Sequence, residues 1–135
     1  MAETFEWHCR WGHVDPNGIA YYPRLVDAMH QAGEVFMTAL DLAYWELDEK
    51  FGFFLPLVAM GMEFERPVVV GDTLTFDVEP VLGEKSLRLE ITAYHEDGEV
   101  ANHGYEQHVA VVEETWETVV IPDEMRDRLL RVGDD

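Results

Sequence analysis

The sequence predicts an α+β fold in which one long helix is wrapped by a curled antiparallel sheet. Two observations carry this: a sustained helical period of apolar residues from Pro23 to Leu40, and a change to period two from Phe53 onward, punctuated by turn signals. No internal repeat or low-complexity linker interrupts that order, and 135 residues leave room for one core, so residues 1–135 read as a single domain. A compact two-helix sandwich satisfies the order less well, and periodicity alone does not choose between the two.

Residues 5–11 read as a strand, with Phe5, Trp7, Cys9 and Trp11 alternating against Glu6, His8 and Arg10. Residues 12–18 (Gly-His-Val-Asp-Pro-Asn-Gly) form a loop, and Pro23 stands where a first helical residue belongs. Leu25, Met29, Ala32, Phe36 and Leu40 then share one stripe, widened by Val26, Gly33 and Met37. A mid-helix glycine costs about 1 kcal/mol relative to alanine, so Gly33 is expected to pack closely against a sheet. A short second helix over 41–50 ends at Gly52. Pro56 and Gly61 interrupt the next apolar run, which predicts a bulge or an edge, with regular pairing over 62–66. Leu74, Phe76 and Val78, then Leu87, Leu89, Ile91 and Ala93, alternate with polar residues as half-buried strands. Asp97-Gly98 is a strong hairpin signal, and Gly83-Glu84-Lys85 and Gly71-Asp72 are weaker ones. A last strand runs from Val100 or Ala101 to Val112, which makes a meander of four strands after Phe53, and 123–131 closes as a short helix.

Charge is the dominant compositional signal. Against 28 acidic residues stand 9 basic ones, for a formal net charge of -19, and the carboxylates are spread along the chain. Such a surface excludes nucleic acid as a partner, since affinity for phosphate backbones comes from Lys and Arg. It resembles the surfaces of proteins from organisms that keep molar salt in the cytoplasm, where screening within about 3 Å suppresses self-repulsion. No run approaches the roughly 18 apolar residues of a membrane helix, and the first residues lack a signal pattern. Cys9 is the only cysteine and cannot form an intrachain disulfide. The cytoplasm is the expected location, with no membrane partner.

The segment Trp11-Gly-His-Val-Asp-Pro-Asn-Gly-Ile-Ala-Tyr-Tyr-Pro-Arg-Leu25 places Asp15 in a tight loop ahead of the helix. The first turn of a helix leaves N–H groups without intrahelical acceptors and carries the positive end of the macrodipole. That suits negative charge developing on a carbonyl oxygen. Pro23 has no N–H, so the nearest donor on the loop side is the amide of Tyr22. Asp15 is placed to reach the other face of a bound carbonyl, attacking it or deprotonating a water. Asp-Pro before Asn-Gly is also an ordinary turn, and an Asp ahead of a helix is often a structural cap. On the residues alone both readings stay open.

The run Asp15-Pro16-Asn17-Gly18-Ile19 with Tyr21-Tyr22-Pro23 resembles the active-site signature of the 4-hydroxybenzoyl-CoA thioesterase family of hotdog proteins. Phe64-Glu65-Arg66-Pro67-Val68, Gly71-Asp72-Thr73-Leu74, Lys85-Ser86-Leu87 and Ile121-Pro122 extend the resemblance over nearly the whole chain. It implies the hotdog fold and hydrolysis of an acyl-CoA thioester to free acid and CoA, with no metal or organic cofactor. It also implies a homodimer or homotetramer with active sites at the subunit interface. By position, Asp15 is implied to be catalytic, the Tyr22 amide to bind the thioester oxygen, and Gly18 to permit the close turn. Tyr21 falls in the same signature on the substrate side. His13 stands where many members carry a second acid, which bears on substrate preference. The CoA phosphates are implied to meet the hairpin at 84–86, where this chain offers Lys85, Ser86 and, two residues on, Arg88.

Two rivals share the fold: an acyl-CoA-binding protein without hydrolysis, and a dehydratase or hydratase using His13 beside Asp15. Glu34, one turn beyond His30, is a rival general base. The six histidines lack zinc-site spacings, and His103 and His108, five apart on a strand, point to opposite faces. His30 reads as a hydrogen-bonded structural residue and Cys9 as a small buried one. Trp7, Trp11, Tyr44 and Trp45 are expected in the core.

Overall fold

The computed structural model describes residues 5–130; the chain ends, including Arg131 of the expected closing helix, lie outside the described residues. The elements are β1 (Phe5–His8), α1 (Tyr22–Ala39), α2 (Leu47–Phe51), β2 (Leu57–Phe64), β3 (Thr73–Leu82), β4 (Ser86–Tyr94), β5 (Val100–Val109) and α3 (Asp123–Leu130). Two 3-10 turns, at Trp11–His13 and Tyr44–Glu46, precede α1 and α2. All five strands join one antiparallel sheet in the order β1-β3-β4-β5-β2.

α1 lies across β1, β3 and β4, as its apolar stripe requires. Leu25, Ala28, Met29, Ala32, Gly33, Phe36 and Met37 are buried on its sheet side. They face an apolar floor of Leu74 and Phe76 from β3 and Leu87, Leu89, Ile91 and Ala93 from β4. Each large side chain withdrawn from water in this layer contributes about 1.5–3 kcal/mol. Gly33 has the close approach its position implied: a β-carbon there would lie 3.1 Å from Glu106 Oε1 and 3.2 Å from Leu89 Cδ1.

Several expected boundaries move. β1 stops at His8, because the Cys9 amide donates to Asp72 O and the Gly71 amide to Cys9 O, both at 2.8 Å. The chain then turns at Trp11, which is 78% exposed; Trp45 is also exposed, so neither belongs to the core. The helix expected over 41–50 divides at Tyr44–Glu46, after Asp41 adopts a left-handed φ of 60°. The four-stranded meander is a meander of three, β3-β4-β5. β1 occupies the free side of β3, so β2 takes the far side of β5. The expected bulge falls at Val58, two residues after Pro56, and regular pairing runs from Ala59 to Phe64 rather than over 62–66. Beyond it the amides of Glu65 and Arg66 both donate to Ala101 O. β5 ends at Val109, short of Val112, because the Ala110 amide turns to Lys85 O.

One face of β5 departs from the rest of the core. Directly opposite the buried Leu87, Leu89, Ile91 and Ala93 of β4 stand His108, Glu106, Gly104 and Asn102. His108, Glu106 and Asn102 are each 2% exposed, so a polar row runs beneath the flank of α1.

Candidate active site

The loop between Trp11 and α1 is closed on itself and then fastened to the sheet. Its own closure comes from the Asp15 amide donating to Ile19 O at 2.8 Å and the Gly18 amide to Asp15 O at 2.9 Å. Gly18 takes φ of 80°, a conformation that a side chain would strain, which meets the requirement placed on it. The Ala20 amide donates to Val68 O at 2.8 Å, and Ile19 forms an isolated bridge with Val69, so the segment at 68–69 backs the loop.

Within that frame Asp15 Oδ1 accepts from the amides of Asn17 at 2.9 Å and Ile19 at 3.2 Å. The Asx turn therefore exists, but it uses one oxygen. Oδ2 has no hydrogen-bond partner among the described residues and is available to a substrate or a water. His13 accepts the Tyr21 amide on its carbonyl at 2.8 Å, which brings it beside the start of α1. Its ring stacks on Trp7 with centroids 4.8 Å apart, and its Nδ1 accepts the Arg10 amide at 3.0 Å.

Tyr21 is the N-cap of α1 and Tyr22 its first residue, so Pro23 is the second helical residue rather than the first. This one-place shift keeps the Tyr22 N–H inside the helix terminus. Arg24 N already donates to Tyr21 O at 2.8 Å, whereas the Tyr22 amide has no acceptor among the described residues. The side chains of Tyr21 and Tyr22 are exposed and meet edge to face at 5.6 Å. A cleft of about 310 Å³ opens here, bounded by Ile19, Tyr22 and Leu25 on one side and Phe64, Pro67 and Val68 on the other. Asp15 and His13 lie in the adjoining loop and do not bound it.

The structure thus brings His13, Asp15, Gly18, Tyr21 and Tyr22 together. It does not bring Lys85, Ser86 and Arg88 to them within one chain. They lie at the far end of β3, whose ten residues span roughly 30 Å at 3.3 Å each. Arg88 donates to Glu90 at 2.8 Å and lies 3.8 Å over the Tyr105 ring, while Lys85 is exposed. The hairpin is anchored by Arg126 of α3, whose guanidinium donates to Gly83 O at 2.6 Å, Glu84 O at 2.7 Å and Ile121 O at 2.9 Å.

His30 donates or shares a proton with Glu106 Oε2 at 3.0 Å, and its other nitrogen lies 3.4 Å from Glu34. The Glu106 hydrogen bond, opposed by partial burial, holds the imidazole above its usual range. His108 is pushed down by burial; its Nδ1 donates to Leu55 O at 3.0 Å and its Nε2 lies 3.5 Å from the Tyr44 hydroxyl. Glu34 is twelve residues along α1 from Tyr22, about 18 Å at 1.5 Å per residue, so in one chain it does not face the same carbonyl. His103 faces outward to Glu65 at 2.9 Å while His108 is buried, which fits their opposite orientation. Burial, with Asp72 nearby, raises the Cys9 thiol and leaves it inert. Among the described residues no three His, Cys, Asp or Glu side chains converge as a metal site. No described helix is long and apolar enough to cross a membrane. Sequence reasoning missed the polar row on β5; its signal was the alternation of Asn102, Gly104, Glu106 and His108 in a strand flanked by apolar ones.

A long helix packed against a five-stranded antiparallel sheet is the hotdog fold. The chain belongs to the thioesterase-like superfamily, whose profile matches residues 9–129. It is 25% identical to the 1,4-dihydroxy-2-naphthoyl-CoA hydrolase of Synechococcus elongatus over 99% of this chain and 100% of the relative. It also resembles the solved structure of a gentisyl-CoA thioesterase, with a TM-score of 0.80, 25% identity and coverage of 94% and 99% of the two chains. A Staphylococcus aureus protein solved with CoA shares the fold at a TM-score of 0.88 and 16% identity, covering 99% of this chain and 85% of that one.

Proposed function

We propose that this protein is an acyl-CoA thioesterase, one hotdog domain that hydrolyses a thioester to free acid and CoA. The observation that carries the reading is an Asp15 Oδ2 in the loop ahead of α1 and a Tyr22 amide at the helix terminus that both lack hydrogen-bond partners among the described residues. The amide and the helix dipole receive the carbonyl oxygen as it gains charge. Asp15 either removes a proton from water, whose oxygen attacks the carbonyl carbon, or attacks it directly to form an anhydride that water then opens. In both routes the C–S bond breaks and CoA leaves as thiolate; water's oxygen enters the acid directly in the first, and in the second enters the acid or Asp15 according to which anhydride carbonyl it attacks. Two of these relatives are named for 1,4-dihydroxy-2-naphthoyl-CoA and gentisyl-CoA, and the mostly apolar cleft beside Tyr22 suits a planar acyl group.

Assembly follows from the free edge of β2. Leu57, Val58, Met60 and Phe64 are exposed along it, and an uncovered apolar edge is a template for another strand. Two chains paired along β2, as a dimer or within a tetramer, make a site at the subunit interface. Only a second chain can bring a hairpin carrying Lys85, Ser86 and Arg88 to Asp15, given the length of β3. The reading includes work in the cytoplasm at molar salt, which the charge of -19 supports.

The test is thiol release, in molar potassium chloride, from short, long and aromatic acyl-CoAs by wild type and Asp15→Asn. The variant is expected to lose roughly 10²- to 10⁴-fold in turnover while keeping its circular dichroism. A loss under threefold removes Asp15 from the mechanism, and silence from both with acyl-CoA still bound makes the protein a binding module.

A further inference from the structure

In a chain of 28 acids and 9 bases a cation readily finds a carboxylate. Lys50, Arg66, Arg88 and Arg128 do so at 2.6–2.8 Å, with Asp41, Asp97, Glu90 and Glu124. Arg126 of α3 has no carboxylate partner among the described residues. Its planar fork is directed at main-chain oxygens instead: Nη2 donates to Gly83 O at 2.6 Å and Glu84 O at 2.7 Å, and Nε to Ile121 O at 2.9 Å.

The β3–β4 hairpin is thereby left with donors to offer and no acceptors. Every carbonyl from Gly83 to Ser86 accepts a hydrogen bond: Glu84 O also receives the Ile121 amide at 3.0 Å, Lys85 O the Ala110 amide at 2.9 Å and Ser86 O the Gly83 amide at 2.9 Å. The amides of Glu84 and Lys85 have no acceptor among the described residues, and both residues are exposed. The Lys85 ammonium, on the same turn, has no ion-pair partner among the described residues. Consecutive free N–H groups beside an ammonium form a seat for an anion. Glu84 carries a carboxylate on this turn, so an anion is received only where the N–H groups, and not that side chain, face it. At molar salt, where charge is screened within about 3 Å, donors in direct contact count and a diffuse positive field does not.

Resting on the thioesterase reading and its hairpin from a second chain, we propose that Arg126 is a positioning residue for substrate. By tying down the Gly83 and Glu84 carbonyls it aims the Glu84 and Lys85 N–H groups and the Lys85 ammonium at a phosphate of CoA. Arg126 acts through the geometry of its fork, which a lysine does not reproduce.

The experiment compares one acyl group carried on CoA, on dephospho-CoA, which lacks the 3′-phosphate, and on pantetheine, which has no phosphate. Arg126→Gln is expected to raise KM for the acyl-CoA about tenfold or more, with kcat within about threefold and KM for the pantetheine thioester within about twofold of wild type. A rise retained on dephospho-CoA assigns the seat to the diphosphate, and one lost there assigns it to the 3′-phosphate. Arg126→Lys keeps the charge but cannot span three carbonyls, and should raise KM for the acyl-CoA about threefold or more. It carries the same comparison if the Gln variant does not fold. A rise shared by the pantetheine thioester, no rise with acyl-CoA, or a Lys variant equal to wild type overturns the proposal. A wild type that releases no thiol from any acyl-CoA overturns the thioesterase reading, and calorimetric titration with CoA alone then decides this one. A Kd weakened about tenfold in Arg126→Gln upholds it, and an equal Kd overturns it.

Discussion

His30 on α1 and Glu106 on β5, seventy-six residues apart, meet at 3.0 Å beneath the helix, and the Glu106 carboxylate is buried while His30 is half exposed. Among the described residues Glu106 Oε1 has no hydrogen-bond partner, with His108 Nε2 4.0 Å away, so His30 supplies the hydrogen bond that compensates this buried acid. His30 titrates above its usual 6.5 in the folded chain. A raised folded value means that the ionic contribution is full below about pH 6.5 and is lost as pH climbs through the raised value. His30→Leu should destabilise the protein by about 1–3 kcal/mol near pH 6, since it strands a buried polar group. The gap in thermal midpoint to wild type should narrow by pH 9; a gap that stays constant removes the ionic part of the argument.

At Tyr22 the backbone, not the side chain, is assigned the work. Tyr22→Phe should leave kcat within about threefold. Tyr22→Pro deletes the N–H at a helix position that tolerates proline and should cost about 10²- to 10³-fold. Thiol-release kinetics with circular dichroism on both variants check this, and equal losses from the two would return the role to the phenol ring.

The edge of β2 and the salt requirement are tested by one sizing experiment. In molar salt the wild type should run as a dimer or tetramer, and Val58→Lys, which places a charge on the bulged edge, should run smaller and lose activity. Dialysis of wild type to low salt should dissociate the oligomer or abolish cooperative unfolding, because 28 carboxylates then repel unscreened. An unchanged mass in light scattering for the Val58→Lys variant moves the interface elsewhere, and unchanged size and unfolding at low salt refute the salt dependence.

The helix and the central strands were legible because burial on one side writes a period into the chain. Leu25 to Met37 and Leu87 to Ala93 lie buried as their spacing required. The loop of Asp15 was legible because Gly18 and Pro23 mark conformations few other residues adopt. Strand order was not, since β2 and the meander strands carry the same alternation, and only the occupation of β3 by β1 decides where β2 goes. The end of β1 was hidden because Trp11 continues the alternation while the backbone bonds of Cys9 have already turned to Gly71 and Asp72. The His30–Glu106 contact depends on residues that meet only after folding.

The strand order also divides the sheet by how much chain each pairing must close. β3, β4 and β5 join through hairpins, whereas the β1–β3 edge joins His8 to Thr73, 65 residues apart. Closing a 65-residue loop costs about 2 kcal/mol more entropy than closing one of five residues. Both edges are consequently the slow, non-local part of folding. The β1 edge leads into the Asp15 loop and the β2 edge is the one proposed to meet a second chain, so during synthesis the centre of the sheet is expected to form before the edges on which the proposed chemistry and assembly depend.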